Sequence, residues 1–230
     1  MASQRSAAGV YAAVVAAEAE VTARAGDERA WLLRALLVLI GPRPVFAALR
    51  DDSEETAGAR QEAVIALVLL SGIASVLWTP VAGRLLDQRD IDALLVAVWA
   101  FIGGGVYGLI VYWTAGAALH GGLRAAGSLG SFRRSRHVLA FAAAPLALSL
   151  VVWPFRLAVF GGDVFRGGGS DTGLGNALFV AVELGFAAWT LALLAIGVRT
   201  VHGWAWPRAL GGLSLAVAIA ALVVVGVRVL

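Results

Sequence analysis

The 230-residue chain is strongly apolar: 60% of its residues are hydrophobic, 14% are charged, and the mean hydropathy is +0.84. A soluble domain of this length cannot bury so much apolar surface, so the composition excludes an ordinary soluble fold and indicates a membrane protein. The chain has no cysteine, which excludes disulfides and thiolate chemistry. All 18 basic residues are arginine, and they fall in predicted loops and helix ends, not in a basic domain for nucleic acid.

The N-terminal part of the chain precedes the long apolar runs. Residues 1–30 predict a polar, Ala-rich tail, and residues 31–62 predict a short interfacial helix followed by an acidic linker. The run 31–40 is only about half as long as a membrane crossing, and Pro42 ends it. We therefore expect it to lie along the cytoplasmic surface of the membrane. The acidic residues of 51–55 predict a solvated linker.

Five apolar runs follow, and each is long enough to cross a bilayer as a helix. The sequence therefore predicts an all-α polytopic membrane protein, in which residues 63–230 form a bundle of five transmembrane helices. The length leaves no room for a separate soluble domain. The predicted spans are residues 63–82, 93–119, 138–160, 174–198 and 209–227.

The charged residues between the runs predict the orientation of the spans. The second loop carries Arg124, Arg133, Arg134 and Arg136 without an acidic residue, whereas the first and third loops balance arginine against aspartate. Cytoplasmic loops accumulate arginine. We therefore expect a multi-pass protein of the cell membrane, with the N-terminus inside and the C-terminus outside.

Several short runs carry a family resemblance. These runs are rich in Gly, Ala, Pro and Leu, which are common in membrane proteins, so the likeness rests on the order and spacing of the runs. From about residue 32 to the C-terminus, the chain resembles the Yip family of integral membrane proteins, named for interaction with Ypt/Rab GTPases, and in particular its bacterial members. The runs are RPVFAALR at 43–50, GSLGSFRR at 127–134, VLAFAAAP at 138–145, WPFRL at 153–157 and VRTVHGW at 198–204.

The resemblance implies a five-span bundle with a cytoplasmic N-terminal region. Eukaryotic members of the family are adaptors in vesicle transport that bind prenylated Rab GTPases. The absence of lysine and the abundance of Ala, Gly, Val and Leu indicate a GC-rich, bacterial genome. A bacterial host has no Rab pathway, so the resemblance implies no such role here and supplies no other biochemical activity.

Glu183 is the most informative single residue, because it lies nine residues into the fourth predicted span. A carboxyl at that depth is costly and is expected to face the bundle interior with a partner. Arg156, in the third span, is the expected partner. One interpretation is structural, with a neutral Glu183 or an ion pair that locks the two spans together. The other interpretation is a proton or substrate site.

Arg133, Arg134 and Arg136 form the densest basic cluster. Besides setting the orientation, they are expected to contact anionic lipid headgroups or a partner protein. The three histidines are expected at the cytoplasmic ends of spans, where they could ligate a metal or titrate near neutral pH. Their sequence spacing does not resemble a metal site, so we expect no bound metal. They are His120, His137 and His202.

Gly104 and Gly108 have the spacing of small residues at a close helix contact. Helix packing within the chain is one interpretation, and formation of a homo-oligomer is the other.

The sequence contains no motif for a catalytic site or a cofactor. We expect a non-enzymatic membrane scaffold or adaptor of the Yip type, acting through its cytoplasmic N-terminal region and second loop. The alternative is a small transporter or channel component that uses Glu183. The expected partners are the lipid bilayer, other membrane proteins or a second copy of the chain, and not nucleic acid.

Overall fold

The computed structural model describes residues 29–88, 92–171 and 173–229, and every regular element within them is a helix. The tail predicted over residues 1–30 lies outside the described residues, except that 29 and 30 already belong to the first helix. The helices are α1 (29–37), α2 (Pro42–Ala48), α3 (Glu54–Ala59), α4 (Gln61–Leu77), α5 (Ala93–Ala125), α6 (Phe132–Ala142), α7 (Ala144–Ser149), α8 (Val152–Phe160), α9 (Gly173–His202) and α10 (Trp206–Val229). Short 3₁₀ helices span Ala82–Asp87 and Gly161–Phe165.

Four helical segments are long and apolar enough to cross a membrane: Leu94–Ala125, Phe132–Phe165, Gly173–His202 and Trp206–Val223. They correspond to the second to fifth predicted spans. The first predicted span corresponds to α4, which is apolar but has only 17 residues. Its helix ends before the predicted boundary at residue 82, because Pro80 disfavours helical geometry in the residue before it.

The third predicted span is not one continuous helix. The chain passes from α6 to α7 at Ala143 and from α7 to α8 at residues 150–151. Pro145 and Pro154 lie in the first turns of α7 and α8, where the missing N–H and the fixed φ are tolerated. Each proline thus starts a new short helix within the span.

Helices α4 and α5 approach each other closely through glycine. A Cβ added at Gly104 would lie 2.5 Å from the Cα of Ile73, and one added at Gly108 would overlap the backbone of Val68. Gly72 faces both glycines from α4. The structure therefore places Gly104 and Gly108 at a helix contact within the chain.

The connections lie at two ends of the bundle. At one end the Asp87 carboxylate accepts the Gly167 N–H at 3.0 Å, which ties the α4–α5 connection to the α8–α9 connection. At the other end Arg208 of α10 donates to Ala126 O at 3.0 Å in the α5–α6 loop. We call the end that carries Arg60, Arg133, Arg134, Arg199 and Arg208 the basic end, and the other the opposite end.

The buried core lies toward the basic end. Its fully buried members include Phe46 of α2, Leu123 of α5, Phe141 of α6 and Val198 of α9. Trp31 of α1 packs edge-on against Phe141, with ring centroids 5.7 Å apart. This core holds the N-terminal helices, α6 and the end of α9 in fixed positions, and so positions the polar groups described next.

Candidate functional site at the basic end

A buried arginine forms the centre of the basic end. Arg60 precedes α4, and its side chain has no solvent-exposed surface. Its guanidinium donates from Nε to His137 Nδ1 at 2.7 Å, from Nη1 to Asp51 O at 2.7 Å and from Nη2 to Asp52 Oδ1 at 2.9 Å. A buried charge is tolerated only when it is paired and hydrogen-bonded, and these three bonds meet that condition.

Asp52 links this arginine to the second loop. Its carboxylate accepts from Arg133 Nε at 3.1 Å and from the Ser131 hydroxyl. Burial acts to raise the pKa of Asp52, but the bonds from Ser131 and Arg133 and the charges of Arg133 and Arg60 outweigh burial and lower the pKa below its ordinary value. The carboxylate is therefore charged and serves as the shared acceptor of the network.

The sequence predicted a solvated acidic linker, but the structure shows that this linker is only partly solvated. Asp51 and Glu54 are exposed, and Glu54 reaches Arg133 Nη1 at 2.8 Å from a side chain that is 91% exposed. Asp52, by contrast, is only 10% exposed. The difference arises because Asp52 alone in this run faces both Arg60 and Arg133. We call Asp52, Arg60, Ser131, Arg133 and His137 the linker–loop network.

A second set of arginine contacts extends the basic end to α9 and α10. Arg134 donates to Arg50 O at 2.8 Å, and Arg50 Nε in turn donates to Thr200 O at 3.0 Å near the end of α9. Arg208 lies over the Trp204 ring, 4.4 Å from its centroid. The linker, the second loop and the α9–α10 junction therefore form one connected surface.

Arg136 occupies an aromatic environment. Its guanidinium carbon lies 3.7 Å from the centroid of Trp113, 4.7 Å from Phe132 and 5.0 Å from Tyr112. Contacts of this kind stabilise a cation without a carboxylate. Thus Arg133, Arg134 and Arg136 all have partners within the chain, and their predicted contact with lipid or protein stays a prediction.

The three histidines have separate partners. Arg60 donates to His137 Nδ1, so that nitrogen is the acceptor of a neutral imidazole. His202 Nδ1 donates to Val198 O at 3.0 Å, and its Nε2 lies 2.8 Å from Ser128 Oγ. His120 Nδ1 lies 3.4 Å from Ser135 Oγ. Within the described ranges, no group of three or more His, Asp or Glu side chains has a metal-binding arrangement.

An apolar surface flanks the network. Helix α1 buries Trp31 and Ala35 against the bundle, and the following turn buries Val38. Its other faces and the following turn expose large apolar side chains: Leu33 is 61% exposed, Leu36 64% and Ile40 88%. An exposed apolar patch of this kind is typical of a surface that contacts lipid or protein.

At the opposite end, Arg156 bonds to residues other than Glu183, and the predicted pair of Arg156 with Glu183 stays a prediction. Arg156 Nη2 donates to Asp171 Oδ2 at 3.2 Å and to Asn176 Oδ1 at 3.1 Å, and its guanidinium lies over the rings of Trp78 and Trp153. Glu183 lies about 10 Å further along α9 than Asn176, because seven residues separate them. In the part of the chain that the structure describes, Arg156 makes its ion pair with Asp171 and not with Glu183.

Sequence reasoning missed the linker–loop network. Arg60 and His137 are 77 positions apart, and Asp52 and Arg133 are 81 apart. Periodicity and short motifs do not report such pairs. The available signal was an arginine directly before an apolar run, with an aspartate eight residues upstream and unbalanced arginines in another loop on the same predicted side.

The apolar helices and the two polar ends define a multi-pass helical membrane protein. The family model of the Yip1 domain matches residues 36–227. The chain therefore belongs to the Yip1 domain family. Comparison with curated proteins gave no match, and neither did comparison with solved structures.

Proposed function

We propose that the chain is a non-enzymatic scaffold or adaptor of the cell membrane, and that the surface of its basic end binds its partners. The linker–loop network and the Arg208 contact to the second loop support this most directly, because together they hold the N-terminal segment, the second loop and the α9–α10 junction as one shaped surface. The charged groups of the linker–loop network are bonded to each other, which is the arrangement of a structural surface and not of a reaction site.

We further propose that α4 is a fifth span. Its 17 residues give a length of about 25 Å, at the lower limit for a crossing. The residues at its two ends support a full crossing: Arg60 belongs to the linker–loop network, and Trp78 packs on Trp153 at the opposite end with centroids 5.2 Å apart. A short apolar helix of this kind can cross a membrane when polar and aromatic side chains lie at both of its ends.

The basic end is proposed to be cytoplasmic, because its arginines include the unbalanced ones of the second loop. This orientation places the N-terminus inside and the C-terminus outside. The exposed leucines of α1 are then proposed to enter the cytoplasmic leaflet as an interfacial anchor, with nearby arginines on anionic headgroups. Other membrane proteins or a second copy of the chain are the proposed protein partners.

Site-specific photo-crosslinking in native membranes tests the proposal. Leu129, in the second loop, is 93% exposed and is the probe position at the basic end. Ser170, also exposed, is the control position at the opposite end. We expect discrete protein adducts from position 129 that are absent at position 170 and weakened by Asp52→Asn, whereas Glu54→Gln leaves them unchanged. Adducts only at position 170, or the same adducts at both positions, would contradict the proposal.

A further inference from the structure

The half of α9 nearest the opposite end packs loosely against the bundle. No residue from 173 to 192 is buried, and the first fully enclosed side chain is Leu193 at 2% exposure. One face of this half is partly covered, while the rest of the helix is exposed. We call this partly covered face the inner face of α9; it consists of Asn176, Phe179, Glu183, Phe186, Ala187 and Thr190.

The inner face carries polar groups at regular intervals. Asn176, Glu183 and Thr190 are spaced by seven residues, so they lie above one another at intervals of about 10 Å. On the facing element α8, Arg156 reaches Asn176, and Phe160 contacts Phe179 with ring centroids 5.7 Å apart. Polar groups in a membrane are costly unless they face protein or water. The position of Glu183 on this face, and not on the exposed faces of α9, is therefore informative.

The inner face leads to a cavity. This cavity has a volume of about 110 Å³ and lies between α4, α5, the α6–α7 segment and α9. Its hydroxyl-bearing lining residues are Ser71, Ser75, Tyr107, Tyr112 and Thr190. The lining is mostly apolar, but about 10–15 Å³ of such space holds one water molecule, so the cavity has room for water beside these hydroxyls.

The Thr190 hydroxyl indicates that the cavity is occupied. Hydroxyls in membrane helices ordinarily donate to a carbonyl of the preceding turn. Ser71, Ser75 and Thr114 do so, donating to Val68 O, Ser71 O and Ile110 O. The Thr190 hydroxyl oxygen is buried and has no hydrogen-bond partner among the residues that the structure describes. It lines the cavity, where water would satisfy it.

We propose that the space along the inner face of α9, together with this cavity, is a water-filled vestibule that enters from the opposite end and gives protons access to Glu183. A hydronium ion at Glu183 transfers one proton to the carboxylate and leaves neutral water, and the reverse transfer restores the ion. Among the residues that the structure describes, the charged group that faces Glu183 is Arg156 of α8, which is bonded to Asp171. Helix α7 has no ionisable side chain, and the ionisable groups of α2, α6 and α10 described above lie at the basic end. This inference does not depend on the proposed scaffold role.

Single-cysteine labelling tests the vestibule directly, because the chain contains no cysteine of its own. Ala187 and Ala188 are neighbours at the same depth, but Ala187 lies on the inner face and Ala188 on an exposed face. A charged, membrane-impermeant methanethiosulfonate reagent reacts with thiolate in water and not with a thiol in lipid. We expect Ala187→Cys to react at least about tenfold faster than Ala188→Cys in proteoliposomes. Equal rates at the two positions would contradict the vestibule, because they would mean that both positions face water or that both face lipid.

Two further measurements complete the test: a second cysteine pair and an infrared measurement of proton access to Glu183. Thr190→Cys replaces Ala187→Cys if the latter does not fold, and it is expected to exceed the rate of Leu191→Cys on the exposed face in the same way. The infrared carbonyl band of protonated Glu183, identified by its loss in Glu183→Gln, should shift at once on transfer to D₂O. A band that remains unshifted would show that protons do not reach Glu183 and would overturn that part of the inference.

Discussion

At the scale of single residues, the basic end depends on one acidic side chain. Asp52 is the shared acceptor for Arg60, Ser131 and Arg133, and Arg60 has no exposed surface. Removal of Asp52 leaves a buried guanidinium without its charged partner. The cost of such a loss is dominated by the orphaned charge, and not by the strength of the bonds themselves.

We therefore expect Asp52→Ala to destabilise the protein by about 3 kcal/mol, the lower end of the range for breaking a buried ion pair. Glu54→Ala is the matched control, because Glu54 contacts the same Arg133 from an exposed position. It should cost less than about 1 kcal/mol. Thermal melts of both variants in one detergent measure the difference. Equal losses would show that the linker–loop network does not stabilise the fold.

The lowered pKa of Asp52 also predicts a pH dependence. A carboxyl whose folded pKa lies below its unfolded value contributes stability at neutral pH, and this stability is lost as the pH falls below the ordinary aspartate value of about 3.9. Wild-type melting temperature should therefore decline through this acid range. Asp52→Asn should begin lower and decline less over the same range, and an identical slope in both proteins would contradict the assignment.

At the opposite end, the residue-scale expectation concerns Arg156. Because Arg156 pairs with Asp171, the double variant Arg156→Ala with Asp171→Ala should show a coupling of about 1 kcal/mol. The cycle of Arg156→Ala with Glu183→Ala should be nearly additive. Melting temperatures of the single and double variants give both couplings. A larger coupling with Glu183 would restore the pair that the sequence predicted.

At the scale of elements, glycine determines how closely α4 and α5 pack. Gly103 and Gly104 are neighbours in α5, yet only Gly104 meets the backbone of α4, whereas the nearest atom to a Cβ at Gly103 is a Trp99 ring carbon at 3.9 Å. The two positions therefore separate the effect of helix propensity from the effect of close packing.

Gly104→Ala should destabilise the protein by about 2 kcal/mol, because the added methyl group pushes two backbones apart. Gly103→Ala should be neutral or stabilising by up to about 1 kcal/mol, since alanine favours the helix and makes only an ordinary van der Waals contact there. Detergent melts of the pair provide the measurement. If Gly104→Ala is as well tolerated as Gly103→Ala, the α4–α5 contact is looser than described.

The sequence predicted the helices more accurately than it predicted the contacts between them. Long apolar runs predict helices because both the membrane and the backbone demand them, and α5, α9 and α10 lie where the hydropathy placed them. The breaks at Ala143 and residues 150–151 escaped prediction, because a proline in an apolar run is equally compatible with a kink. The pairing of Arg156 depended on the course of the α8–α9 connection, which composition does not encode.

At the scale of the whole molecule, the two ends differ in construction. The basic end combines a buried polar network with the main apolar core, and the opposite end consists of 3₁₀ helices and a glycine-rich connection beside the exposed half of α9. This asymmetry is consistent with a rigid surface on one side of the membrane and an accessible inner face of α9 on the other. The account therefore depends on which side each end occupies and on whether α4 crosses.

Topology mapping tests that claim most directly. Reporters that are active on only one side of the membrane are fused at the N-terminus, after Gln88 in the α4–α5 connection, after Phe132 in the basic end and after Gly168 in the opposite end. Five spans with a cytoplasmic basic end predict that the N-terminal and Phe132 fusions read inside and that the other two read outside. N-terminal and Gln88 fusions that read the same side, or a Phe132 fusion that reads outside, would contradict the account.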